Sequence, residues 1–149
     1  MNQEAFVIER EYEAGPEKIW EAITDENQMN QWYFKIPGFV PKPGHEFSFT
    51  GTDLEGKEWI HLCRITEVEP LKKLSHTWSY KGYPGESLVT WELFPNGNLT
   101  RVKLTHSGLD SFPKLKSLDK NNFAMGWTEI LGTLLKNFVE ADKIKPVEA

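Results

Sequence analysis

The apolar residues Phe123, Trp127, Ile130, Leu131, Leu134, Leu135 and Phe138 recur at steps of three and four, which draws one broad stripe along a helix of several turns. This places the longest helix over Asn122 to Ala141. Thr128, Glu129, Thr133, Lys136, Asn137 and Glu140 fall off the stripe, so the helix is one-sided and needs a wide partner such as a curved sheet. Gly126 stands at the border of the stripe, where a missing side chain lets a strand or a ligand come close. A stripe of this kind is more often plain core than a ligand wall.

Upstream of this helix the dominant period is two. Phe6, Ile8, Arg10 and Tyr12 alternate with Val7, Glu9, Glu11 and Glu13 as a first strand. Pro16 to Ile23 then reads as a short helix burying Ile19, Trp20 and Ile23, and Asp25 caps a second whose Met29, Trp32 and Tyr33 share a face. Phe47 and Phe49 mark the second strand. The third runs from Lys57 to Val68 with Trp59, His61, Cys63 and Ile65 on one face, and the switch to Val68 predicts a bulge near Thr66 and Glu67. Leu74, His76, Trp78 and Tyr80 form one face of the fourth. Asn96-Gly97, between two alternating runs, signals a hairpin. Pairing Pro95 with Asn98 sets Leu93 opposite Thr100, Trp91 opposite Val102, Val89 opposite Leu104 and Ser87 opposite His106, with Glu92 and Arg101 paired on the outside.

Two segments are apolar yet too broken for regular structure: Ile36 to Val40, interrupted by Pro37 and Gly38, and Leu109 to Leu118, interrupted by Pro113 and several charges. They read as rim loops, and Phe39 and Phe112 are placed at the cavity mouth or as plugs of the core's ends. Asp119, Asn121 and Asn122 are the candidate caps of the long helix, and the tail after Ile144 is charged and expected to fray.

The 149 residues suit a single domain. Met1 to Glu4 show no basic region leading into an apolar run, and no stretch is apolar enough to cross a bilayer, so a cytoplasmic protein without membrane partners is expected. Cys63 is the one cysteine, which excludes an internal disulfide and a thiolate cage. A net charge of −5 and a pI near 5.4 argue against nucleic acid. The excess is aromatic: six Trp, nine Phe and four Tyr, more than a core of this size requires.

Four histidines invite a metal reading. In the expected register His106 lies level with Ser87 and His76 with Val89 or Trp91, and no inward carboxylate pair completes a site, so neither a metal nor any other cofactor is expected. His61, His76 and His106 remain polar points on an aromatic face, able to orient a ligand or move a proton. For any one of them a structural role is the commoner outcome. No paired carboxylates, no Ser, His and acid trio and no phosphate-binding glycine loop stand out.

Pro16-Glu17-Lys18-Ile19-Trp20, Trp32-Tyr33-Phe34, Pro43-Gly44, Glu67-Val68 with Pro70, Leu74 to Trp78, Thr100 to Leu109, and Gly126-Trp127 follow one another at characteristic spacings. Together they resemble the helix-grip domains of the SRPBCC (START-like) superfamily, and within it the family named after the activator of heat-shock protein 90 ATPase. Many relatives have a second glycine after Pro43-Gly44, where this chain has His45. The resemblance implies an α+β helix-grip fold in which a curved antiparallel sheet of about six strands wraps the C-terminal helix, with two short helices after the first strand and an apolar cavity between sheet and helix.

Three functions are compatible with that fold. The first is a binding module holding a small hydrophobic, aromatic or lipid-like molecule. The second is an enzyme of the polyketide cyclase or hydrolase type with an inward histidine as proton shuttle. The third is a co-chaperone docking on a heat-shock protein 90 homologue. The cavity is expected to be lined by Trp32, Phe34, Phe47, Phe49, His61, His76, Trp78, Trp91, His106, Phe123, Trp127 and Leu131. A monomer or weak homodimer is expected.

Overall fold

Six antiparallel strands form one sheet in the order β1-β6-β5-β4-β3-β2. In the computed structural model, which describes residues 5–53, 55–115 and 118–141, β1 is Phe6–Tyr12, β2 Glu46–Thr52, β3 Glu58–Glu69, β4 Lys73–Tyr80, β5 Ser87–Asn96 and β6 Leu99–Ser107. Between β1 and β2 lie α1 (Pro16–Thr24) and α2 (Glu26–Trp32). The C-terminal helix runs as α3 (Lys120–Glu129), a π-helical stretch (Ile130–Leu135) and α4 (Lys136–Val139). This is the helix-grip arrangement. The expectations for Met1 to Glu4 and for the tail after Ile144 lie outside the described residues.

Local chemistry sets the helix ends. Pro16 occupies the start of α1, where its missing N–H costs nothing. The Asp25 side chain accepts from the Gln28 amide at 3.0 Å and caps α2 as expected. Trp32 reaches back from α2 to donate to the Ala22 carbonyl at 2.8 Å, which locks the pair into one corner. Ile19 and Ile23 are buried, whereas Trp20 is only half-buried. At the far end the Glu140 carboxylate accepts from the Glu13 amide at 2.8 Å and from Lys136 at 2.7 Å, so the close of the long helix is pinned to the turn after β1.

The bulge falls between Ile65 and Glu67, where the change of parity predicts it. The β5–β6 hairpin, by contrast, corrects the sequence expectation. Asn96 pairs with Leu99, so Gly97 and Asn98 form the loop and every partner shifts by two: Leu93 faces Val102, Trp91 faces Leu104 and Val89 faces His106. Gly97 has a φ of +64° and Leu71 is the one non-glycine at positive φ among the described residues. That is a glycine-first two-residue turn rather than an Asn-Gly turn with both residues left-handed.

A shift of two leaves the faces unchanged, and Trp91, Leu93, Val102 and Leu104 are all buried. It does change the outer face. Glu92 stands opposite Lys103, not Arg101, and the row across four strands reads Lys73, Glu92, Lys103, Glu9, alternating in sign at each step. Arg101 instead pairs with Glu9 and lies 4.4 Å from the centre of the Phe94 ring.

The long helix also departs from the expected stripe. Phe123, Trp127, Leu131, Leu135 and Val139 are buried, each four residues from the last, while Leu134 is 39% exposed. In a regular α-helix four residues overshoot one turn by about 40°, so such a line would drift off the sheet. The wider π-helical turn absorbs the drift, keeps the line on the sheet and rotates Leu134 outward.

Candidate functional site

A pocket of about 220 Å³ opens between the inner face of β2, β3 and β4 and the first turns of α3. Its floor follows from strand pairing: His61 and Tyr80 pair in one row, and Gly51 pairs with Trp59 in the next. Asn122, Phe123, Gly126, Trp127 and Ile130 form the roof, and Phe34 closes the side nearest α2. Two glycines make the space. A Cβ on Gly51 would stand 3.0 Å from His61 Cε1, so only glycine lets that ring settle against the strand without displacement. Gly126 is exposed and lines the pocket, and a Cβ on it would meet nothing within 4 Å.

The walls are aromatic and interlocked. His61 stacks on Phe49 at 4.3 Å and meets Trp78 edge-on at 4.8 Å. Phe34 also stacks on Phe49, at 4.5 Å, and lies 6.0 Å from His61, while Trp78 lies 5.4 Å from Trp127 across the interface between sheet and helix.

The polar side chains at this space are Thr52, Asp53, His61, Tyr80 and Asn122. Trp78 Nε1 donates to the Tyr80 hydroxyl at 2.8 Å. His61 Nδ1 lies 3.3 Å from the Phe49 carbonyl oxygen. A carbonyl can only accept, so Nδ1 carries the proton and Nε2 is the acceptor. Burial disfavours the imidazolium and lowers the His61 pKa to about 4, against the smaller opposing pull of the Phe49 and Trp59 carbonyls. At the rim Asp53 is engaged by the loop: Oδ2 accepts from Trp59 Nε1 at 2.9 Å, and Oδ1 accepts from the Glu55 and Lys57 amides at 2.9 and 3.0 Å. Lys57 covers the back of Trp59 at 4.4 Å from its ring centre.

His106 is committed to the fold. Its Nδ1 accepts from Trp127 Nε1 at 3.0 Å, so its Nε2 carries the proton and donates to Ser87 Oγ at 2.8 Å, and Ser87 donates on to the Trp78 carbonyl at 2.8 Å. Protonation would set two N–H groups against each other at Nδ1. Burial, with a further push from His76, lowers the His106 pKa to about 3. His76 donates from Nδ1 to its neighbour's carbonyl, Thr77 O, at 2.9 Å, and burial lowers its pKa to about 4. His76 and His106 both pair with Val89, one on each side. Among the described residues no three His, Cys, Asp or Glu side chains come together to hold a metal ion.

Of the expected lining residues, Phe34, His61, Trp78, Phe123 and Trp127 meet at this pocket. Trp32, Phe47, Phe49, His76 and Trp91 surround a second cavity of about 20 Å³ under α2, and Phe39 closes it. His106 and Leu131 are packed in the core and line neither space. Phe112 is buried behind the pocket wall, 5.3 Å from Tyr80 and 6.1 Å from Phe123. Sequence reasoning missed Trp59 and Tyr80 as pocket residues, although each lies two positions from a chosen one on the same strand face. It also missed Gly51, which carries no side chain to signal a wall.

The sequence matches the family described as "Activator of Hsp90 ATPase homolog 1-like protein" over residues 13–140. No curated protein matches it. Among solved structures, protein CV1439 from Chromobacterium violaceum is 20% identical with a TM-score of 0.78, covering 91% of this chain and 96% of that one. Protein MLL2253 from Mesorhizobium loti is 26% identical with a TM-score of 0.73, covering 95% and 99%. CalU16 from Micromonospora echinospora is 25% identical with a TM-score of 0.72, covering 93% and 75%.

Proposed function

Since the chain belongs to the Activator of Hsp90 ATPase homolog 1-like family, we propose that it uses the family's fold to bind a small, flat, mostly apolar molecule of one or two rings between sheet and helix. The observation that carries this reading is a pocket touching both Trp78 and Trp127, with glycines on its floor and in its roof. At about 220 Å³ it lies below the usual range of drug-sized sites, roughly 300–1,000 Å³, which limits the ligand's size.

Binding is supported over proton transfer by the state of the histidines. His61 is neutral at pH 7 and a weak base, and both nitrogens of His106 are spent on Trp127 and Ser87. The chaperone-docking alternative rests on the family's description alone.

Solvent extraction of the purified protein, read by mass spectrometry, is expected to release a small aromatic molecule, and naphthalene is expected to change the near-ultraviolet circular dichroism of the pocket tryptophans. Protein that releases nothing, with a spectrum unmoved by naphthalene up to its solubility limit, contradicts the reading.

A further inference from the structure

The pocket's aromatic walls carry two unmatched hydrogen-bonding positions, one of each kind. The Tyr80 hydroxyl accepts from Trp78 Nε1, and its own proton has no acceptor among the described residues. His61 Nε2 has no donor there. His45 Nε2 is the one fully buried side-chain nitrogen or oxygen without a partner among the described residues, so the free nitrogen of His61 keeps some accessible surface. His61 is 7% exposed and lines the pocket, which makes that surface the pocket's. The His61 and Tyr80 rings are paired neighbours across β3 and β4 with centres 4.9 Å apart.

Resting on the binding reading above, we propose that the ligand is a phenol or enol: a hydroxyl on a planar ring, whose oxygen accepts from Tyr80 and whose proton goes to His61 Nε2. A hydroxyl is the small group that satisfies a donor and an acceptor at one point. A pure hydrocarbon would expel solvent from both positions and leave them unmatched, and a carbonyl would satisfy Tyr80 alone. The apolar end of the ring system then lies towards Gly126 and Ile130 on the helix. Trp78 and the Phe49 carbonyl act as positioning groups, the first orienting the Tyr80 oxygen and the second fixing the His61 tautomer.

The test is calorimetric, with 2-naphthol and its near-isostere 2-fluoronaphthalene, which has no proton to donate and accepts poorly. The wild-type protein is expected to bind 2-naphthol at least roughly tenfold more tightly, the effect of one to two net hydrogen bonds. Tyr80→Phe is expected to erase most of that preference while still binding 2-fluoronaphthalene. Should Tyr80→Phe fail to fold, the wild-type comparison decides alone. Equal affinity for the two probes overturns the hydroxyl assignment and leaves the binding reading standing. Failure of both to bind up to their solubility limits overturns both.

Discussion

The Tyr12 hydroxyl, near the start of the chain, donates a 2.7 Å hydrogen bond to the carbonyl oxygen of Leu131 in the middle of the C-terminal helix. That carbonyl lies in the π-helical stretch Ile130–Leu135. A side chain from β1 therefore supplies a donor where the helix is widened, and the widened turn keeps the buried line on the sheet. Tyr12→Phe removes that donor from a buried contact between β1 and the helix. A loss of about 1–3 kcal/mol in urea unfolding is expected. A change within a few tenths of a kcal/mol would mean the π-helical turn is stable without it.

Stability should fall steeply in mild acid. His61, His76 and His106 have pKa values lowered to about 4, 4 and 3 by burial, below the unfolded value of about 6.5. Between these limits the unfolded chain binds more protons, so the contribution of each is intact above pH 6.5 and is lost as pH falls towards the folded pKa. At pH 5 each costs about 2 kcal/mol relative to neutral pH. Urea midpoints at pH 7.5, 6 and 5 read this directly, and a flat profile would show that these rings titrate normally.

The charge row on the outer face tests the hairpin register. Lys103 stands opposite Glu9 on one side and Glu92 on the other, so Lys103→Glu places like charges on both. A loss of up to about 1 kcal/mol is expected, shrinking as salt is added. The register expected from Asn96-Gly97 would instead put Lys103 opposite Thr90, and no salt-dependent loss from Glu92 would follow.

Strand faces, the bulge and the Asp25 cap were legible because each depends on parity or on one side chain acting locally. The hairpin register was not, since Asn96-Gly97 and Gly97-Asn98 both satisfy the local turn rule and leave every residue on the same face. The cross-strand charge row breaks that tie, and reading it requires pairing residues up to 94 positions apart, as for Glu9 and Lys103. The π-helical turn was hidden because Trp127, Leu131 and Leu135 fit a helical stripe with or without it. Pocket and solid core draw on the same inward face: His61 and Trp78 reach the pocket, while His106, one of the same set, is consumed by Trp127 and Ser87.

The loop carrying Phe112 should resist opening. Gly85 has a φ of +103°, and a Cβ there would stand 2.5 Å from the Ser111 carbonyl oxygen. Ser111 Oγ in turn accepts from the Glu86 amide at 2.9 Å. Gly85→Ala combines a strained backbone with a clash, so a loss of at least about 2 kcal/mol is expected. Hydrogen exchange at Phe112 should also speed up in that variant. Unchanged stability and exchange would show the loop adjusts freely.

Gly126 tests the pocket itself. A side chain there meets open space in the pocket roof, and replacing a helical glycine recovers up to about 1 kcal/mol of helix propensity. Gly126→Leu should therefore keep or raise the thermal midpoint while filling the cavity. The decisive measurement is a calorimetric titration of 2-naphthol into wild type and Gly126→Leu side by side. Saturable one-site binding to wild type, weakened at least roughly tenfold in a variant that is no less stable, is the predicted result. Equal binding to both proteins would place the ligand elsewhere and contradict the assignment of this pocket.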